Sequence, residues 1–221
     1  MTGDGIPHHD DALRSLRDPE VLERRRAMLF QPHMLPLVAY VDRLRQRYDG
    51  YVPDFDPLDG GINARILFLF EKPGAKADPS SGGSGFVSRN NDDPSAAATF
   101  TFMTSAGIPR RETVTWNLVP WWRKMQRAKR VEIAIGLREM ADLLALLPRL
   151  DTVVLIGAAA AVRPRVSHLR VIESAHPSPV TRARNPGRWC AIPATWRQAA
   201  RECYDGHGTV SQRHFSELDY E

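Results

Sequence analysis

The side chains best suited to chemistry lie in short clusters far apart in the chain: Glu71-Lys72-Pro73-Gly74, Asn117, and His176-Pro177-Ser178-Pro179. Together they supply a carboxylate and an imidazole, which move protons or orient water. They add an ammonium, and a carboxamide that presents donors and an acceptor side by side. Glu71 and Lys72 are neighbours on an extended stretch, so they face opposite sides and need not pair with each other. Gly82, Gly83 and Gly85 then make a mobile loop through which backbone can approach a ligand. That loop is no phosphate-binding P-loop, because no G-K-[ST] follows.

The elements that must position these groups can be read along the chain. Asp18-Pro19-Glu20 opens a first helix with a cap, a proline and a first-turn acid. Leu37, Val41, Leu44 and Tyr48 recur at helical spacing, giving a second helix from Met34 to Tyr48 that Gly50 closes. "DPLDGG" (Asp56 to Gly61) is a turn. "ARILFLF" (Ala64 to Phe70) is a continuous apolar run of strand length, suited to a strand covered on both faces. Asp93 caps, Pro94 opens and Gly107 stops the next helix. Strands follow at Thr113 to Val119, Thr152 to Gly157 and Leu169 to Ser174. The helix "VEIAIGLREMADLLALL" ends at Pro148, small "AAAA" after Gly157 opens a closely packed helix, and "PATWRQAARECY" is the last.

This alternation predicts an α/β fold, a three-layer α/β/α sandwich with a central four-stranded parallel sheet and helices on both faces. Residues 1–221 read as a single domain, with N-terminal helices (1–50) packed on it and a polar tail from Asp205. In such sheets ligands sit beyond the carboxyl ends of the strands. The polar clusters all fall at those ends, so distant segments converge on one rim.

The bulk composition agrees with a globular chain: 43% hydrophobic and 25% charged over 221 residues. A net charge of +4 is a mild bias. The clustering is more informative: "WRKMQRAKR" (Trp122 to Arg130) and "TRARNPGR" (Thr181 to Arg188) carry no acid and sit beside the candidate loops, which favours phosphate contact over a merely solvated face. Two cysteines, Cys190 and Cys203, cannot supply a disulfide framework, a zinc ribbon or a four-thiolate iron–sulfur cluster. Reduced, buried thiols in a cytoplasmic protein follow as the expectation, with no cofactor. The polar N-terminal stretch is not a secretory signal, and no apolar run reaches membrane-spanning length.

The clusters resemble those of the uracil-DNA glycosylase superfamily. "FEKPG" (Phe70 to Gly74) resembles its first motif, G-E-x-P-G in the thermophile-type branch. "GFV" (Gly85 to Val87) resembles the segment whose phenylalanine stacks on the flipped base, and "WNLVP" (Trp116 to Pro120) the strand end whose asparagine reads uracil. "HPSPV" (His176 to Val180) resembles the second motif, HPSPL, which carries the catalytic histidine and the loop that enters DNA. Order and spacing agree from Ala64 to Trp189. Lys72 departs from the family at the position of a water-activating Asp or an Asn. Gly74 stands where uracil-strict enzymes place a tyrosine against the thymine methyl, and the thermophile-type cysteine ligands are absent.

The resemblance implies hydrolysis of the glycosidic bond of deoxyuridine in DNA by a monomer, releasing uracil from a nucleotide flipped out of the stack. His176 would donate to the uracil carbonyl as charge builds there, and Glu71 would orient water and offset the cationic sugar. Asn117 would accept from N3–H and donate to O4, a pattern opposite to cytosine's. Phe86 would stack on the base, with Lys72, Pro73 and Gly74 beside it. Lys72 would bind a phosphate, neutralise another acid, or attack the sugar as an amine. Asp78, Asp92 and Asp93 are reserve acids. Ser178, Val180, Arg182 and Arg184 would meet the DNA, Val180 in place of the wedge leucine. Other deaminated or mismatched bases, and a noncatalytic damage-binding module, are the alternatives.

Overall fold

The computed structural model describes residues 9–123, 128–161 and 169–205, with side chains described up to residue 200. The core of the fold is a parallel sheet built from β2 (Ile66–Phe70), β4 (Thr113–Asn117), β5 (Thr152–Ile156) and β6 (Arg170–Ser174). The spatial order is β4-β2-β5-β6, so the most apolar strand, β2, has a neighbour on each side. A separate short parallel pair joins β1 (Asp54–Phe55) to β3 (Phe86–Val87).

The alternation of side chains along β2 builds two cores. Leu67 and Leu69 face one side, with Val114, Trp116, Val153 and Leu155, under α2 (Leu35–Arg47) and α4 (Arg130–Ala145). Ile66 and Phe68 face the other, with Val154 and Ile156, under α3 (Pro94–Ser105) and α6 (Pro186–Asp205). The sheet is thus sandwiched between helical layers, as the unbroken apolar run of β2 requires. α1 (Pro19–Ala27) starts as expected, with the Asp18 carboxylate accepting from the Glu20 N–H at 2.9 Å.

The small residues after β5 form a 3-10 helix, Gly157–Ala161, and residues 162–168, which would continue it, lie outside the described residues. The last helix begins at Pro186, and Pro193 lies inside it. The segment after His176 is not an irregular loop: Pro179–Arg184 forms a short helix, α5, capped by Ser178. Cys190 is exposed on α6, not buried. The Cys203 side chain, the middle of the basic stretch (residues 124–127) and the tail from residue 206 lie outside the described residues. Among the described residues, no helix is long and apolar enough to cross a membrane.

Candidate active site

The register aligns the carboxyl ends of the strands. Phe70 pairs with Asn117, and Ile156 pairs with Ser174. The β2–β4 pairing continues past the strand ends: Leu118 N–H donates to the Phe70 carbonyl at 2.8 Å and Val119 N–H to the Glu71 carbonyl at 2.9 Å. This pins the turn at Glu71-Lys72. At the rim lies a chamber of about 180 Å³. Its walls include Phe70, Lys72, Pro73 and Gly74 after β2, Asn117 at the end of β4, and His176 after β6. The loop of residues 87–93 and the first turns of α3 complete it.

Asn117 is 3% exposed, and its carboxamide nitrogen has no hydrogen-bond partner. His176 likewise has a buried, unpartnered Nδ1. Leaving a buried polar group unmade costs about 1–3 kcal/mol, and the two residues that carry these groups both line the one chamber. Burial lowers the His176 pKa from its ordinary value, and the nearby Asp93 charge only partly offsets this. The imidazole is therefore neutral near pH 7, the form suited to donate a hydrogen bond to a developing anion. Phe70 meets it edge-on, with ring centroids 5.4 Å apart and planes at 78°.

Gly157 sets the other limit on His176. It has φ 62°, and a Cβ there would lie 3.0 Å from the His176 Cβ. Gly157→Ala should therefore strain the backbone by about 1–2 kcal/mol and push the imidazole off its position. A drop in melting temperature together with at least a tenfold loss of kcat would register both effects. A thermal loss with unchanged kcat would show that His176 tolerates the shift.

The chamber does not gather every expected residue. Phe86 is 1% exposed and packs against Leu16 and Val21, not in the chamber. Adjacent strand residues face opposite sides, and the pairing of β3 with β1 turns Val87 to the chamber and Phe86 away from it. The aromatic ring in the wall is Phe70. Glu71 suffers the same parity: Phe70 and Lys72 line the chamber, and the residue between them does not. Of the acids considered, Asp93 is the one that lines it. Asp93 also caps α3, its Oδ1 accepting from the Ser95 and Ala96 N–H groups at 2.8 and 3.0 Å. Asp78 is used locally, accepting from the Ser80 N–H and hydroxyl.

Lys72 bears electrostatically on Glu132. Burial pushes the Glu132 carboxyl up, but the Lys129 N–H, the Trp121 indole N–H and Lys72 together hold it below its ordinary value. The glycine loop is less loose than its composition implies, because a Cβ at Gly83 would lie 2.5 Å from the Lys76 carbonyl carbon. Glycine there permits close backbone packing. The Ser178 N–H is turned back to the His176 carbonyl at 2.8 Å, and its hydroxyl accepts from the Thr181 N–H at 3.2 Å, so neither is held free for phosphate. Val180 protrudes at 59% exposure, Arg184 is exposed, and the Arg182 guanidinium lies 5.2 Å from the centroid of Trp189.

Behind the loop of residues 84–93 lies a buried ionic hub that the sequence reading missed. Arg25, 1% exposed, donates to both oxygens of Asp56 at 2.6 and 2.7 Å and to the Asp10 carbonyl at 2.6 Å. Arg110 reaches Asp56, Asp59 at 2.9 Å, Asn90 at 2.6 Å and Asp11. Ser88, in the chamber wall, donates to Asp56. The segment before α1 and α1 itself are thereby tied to the wall. A charge four residues after buried Val21, on the same helix face, was the available signal.

These features define an α/β protein with a small, partly polar chamber at the carboxyl rim of a parallel sheet, flanked by a basic helix. The model of the uracil DNA glycosylase superfamily matches residues 57–199, and the chain belongs to that superfamily. It is accordingly a DNA glycosylase of base-excision repair, with DNA as the partner. No curated protein matches the chain.

Proposed function

We propose that the protein is a monofunctional uracil-DNA glycosylase, acting as a monomer that flips deoxyuridine into the chamber and hydrolyses its glycosidic bond. The observation that carries this reading is the meeting of Asn117 and His176 on one chamber of about 180 Å³, each with an unpartnered buried nitrogen. Asn117 offers a donor to O4 and an acceptor to N3–H. Cytosine reverses that pattern and would leave buried groups unpaired. His176 donates to the carbonyl on which charge grows, and Phe70 and Val87 supply apolar wall. Release of free uracil from a uracil-containing oligonucleotide, leaving an alkali-labile site, tests the assignment. Tight binding without cleavage in a single turnover would instead make the protein a damage-binding module.

For the water we favour Asp93, the acid in the wall, over Glu71. Asparagine caps helices about as well as aspartate, so Asp93→Asn removes charge and keeps α3 capped. It should lower kcat by roughly a hundredfold, with Glu71→Gln changing it by less than threefold. The reverse order would return the role to Glu71.

One observation favours a broader substrate range. A Cβ at Gly74 would meet nothing within 4 Å, so no wall stands against a methyl or a larger ring there. Excision of thymine, hypoxanthine or xanthine from matched oligonucleotides would show it. Lys72 lines the chamber and acts in this reading on backbone charge. A Lys72-dependent borohydride adduct on an abasic substrate would show amine attack instead.

A further inference from the structure

A second hollow, of about 270 Å³, lies beside the chamber. Its walls include Arg14, Ala97, Pro177, Pro179, Arg182 and Trp189. The two cavities share their partition. His176 lines the chamber and Pro177 the hollow. Along α3, Ser95, Ala96 and Thr99 line the chamber, and Ala97, Ala98 and Thr101 the hollow. Small side chains on that helix leave the second space open.

The hollow has the chemistry of a nucleobase seat. Trp189 is held by Phe102, with ring centroids 4.7 Å apart and planes at 68°. The Arg182 guanidinium already lies over the indole, and Arg182 is an exposed residue. Bases stack on guanidinium planes and on aromatic rings in sequence-tolerant fashion. The Trp189 indole N–H is buried without a hydrogen-bond partner, an observation independent of the stack and of the chamber. Arg182 puts a positive charge on the hollow's wall, suited to an anionic chain, while Arg14 is paired with Asp92 at 3.2 Å.

We infer that this hollow holds the nucleotide adjacent to the flipped one on the same strand, its base stacked on the Arg182–Trp189 pair. The inference rests on the glycosylase reading for which nucleotide fills the chamber. A strand crossing the partition with one base in the chamber presents its neighbour to the hollow. The enzyme would thus unstack two consecutive nucleotides, which favours single-stranded or weakly paired substrate.

The test uses uracil oligonucleotides carrying 2-aminopurine on the 5′ or the 3′ side of the uracil, with DNA binding followed by anisotropy. Binding should quench 2-aminopurine on one side only. Ala97→Phe, which fills the hollow, should abolish the quenching. In parallel, replacing the neighbouring nucleoside on that side by an abasic analogue should cost the wild type about tenfold in kcat/KM, and Ala97→Phe less than twofold. Absence of quenching on both sides in a formed complex would overturn the inference, as would quenching that survives Ala97→Phe. Quenching without release of uracil would sustain the hollow and strike the glycosylase reading alone.

Discussion

His176→Ala should lower kcat about 10²–10³-fold with little change in DNA affinity. A single preorganised donor aimed at developing negative charge is worth about 2.7–4 kcal/mol in the transition state, and His176 is the neutral donor that the chamber holds. Single-turnover base release from a uracil oligonucleotide measures the effect, and a loss below threefold would remove His176 from the mechanism. The same residue sets a pH dependence. Its folded pKa lies below the ordinary 6.5 because burial disfavours the cation. Activity that needs the neutral form should therefore persist below pH 6.5, with the acid limb of kcat displaced downward. In this range the unfolded chain takes up the proton before the folded one, so His176 makes stability fall as pH drops below about 6.5. An acid limb centred above 6.5 would contradict this.

Asp56→Ala should destabilise the fold by about 3–5 kcal/mol, because removing one partner of a buried pair strands the other. Arg25 is 1% exposed, and Asp56 is its carboxylate partner. Urea denaturation measures the loss, and a change below about 1 kcal/mol would show that Arg25 finds another partner. Burial alone would raise the Asp56 pKa, but Arg110 and then Arg25 draw it well below the ordinary 3.8. Its contribution is therefore complete above that value and lost as pH falls below it. The same variant should loosen the chamber wall through Ser88, so KM should rise before the fold is lost.

The sheet was legible because its strands are runs of apolar and β-branched residues bounded by turn formers. The rim was legible because proline and polar residues end those runs: Asn117 and His176 needed only the strand ends to be placed. What was not legible depended on which way a side chain faces. Phe86 and Val87 differ by one position, and the β1–β3 pairing decides which enters the chamber. Glu71 and Lys72 are separated by the same parity, fixed by the hydrogen bonds to Leu118 and Val119. Asp93 was readable as a helix cap, but only the packing of α3 against the rim makes it part of the chamber. The ionic hub was hidden for another reason. Arginine on a short, highly charged helix reads as solvated, and its acids are contributed by a turn whose burial is a tertiary property. The capping of α5 by Ser178 was written in Ser178-Pro179 itself and lay under the reading of HPSP as an entering loop.

Segments from the ends of β2, β4 and β6 should enclose one base of bound DNA. A structure of the protein bound to DNA containing 2′-fluoro-deoxyuridine, which resists cleavage, tests it most directly. The uracil ring should lie inside the chamber, with O4 and N3 on the Asn117 carboxamide and the other carbonyl within hydrogen-bond reach of His176. A uracil left in the helical stack, or seated away from both side chains, would contradict it.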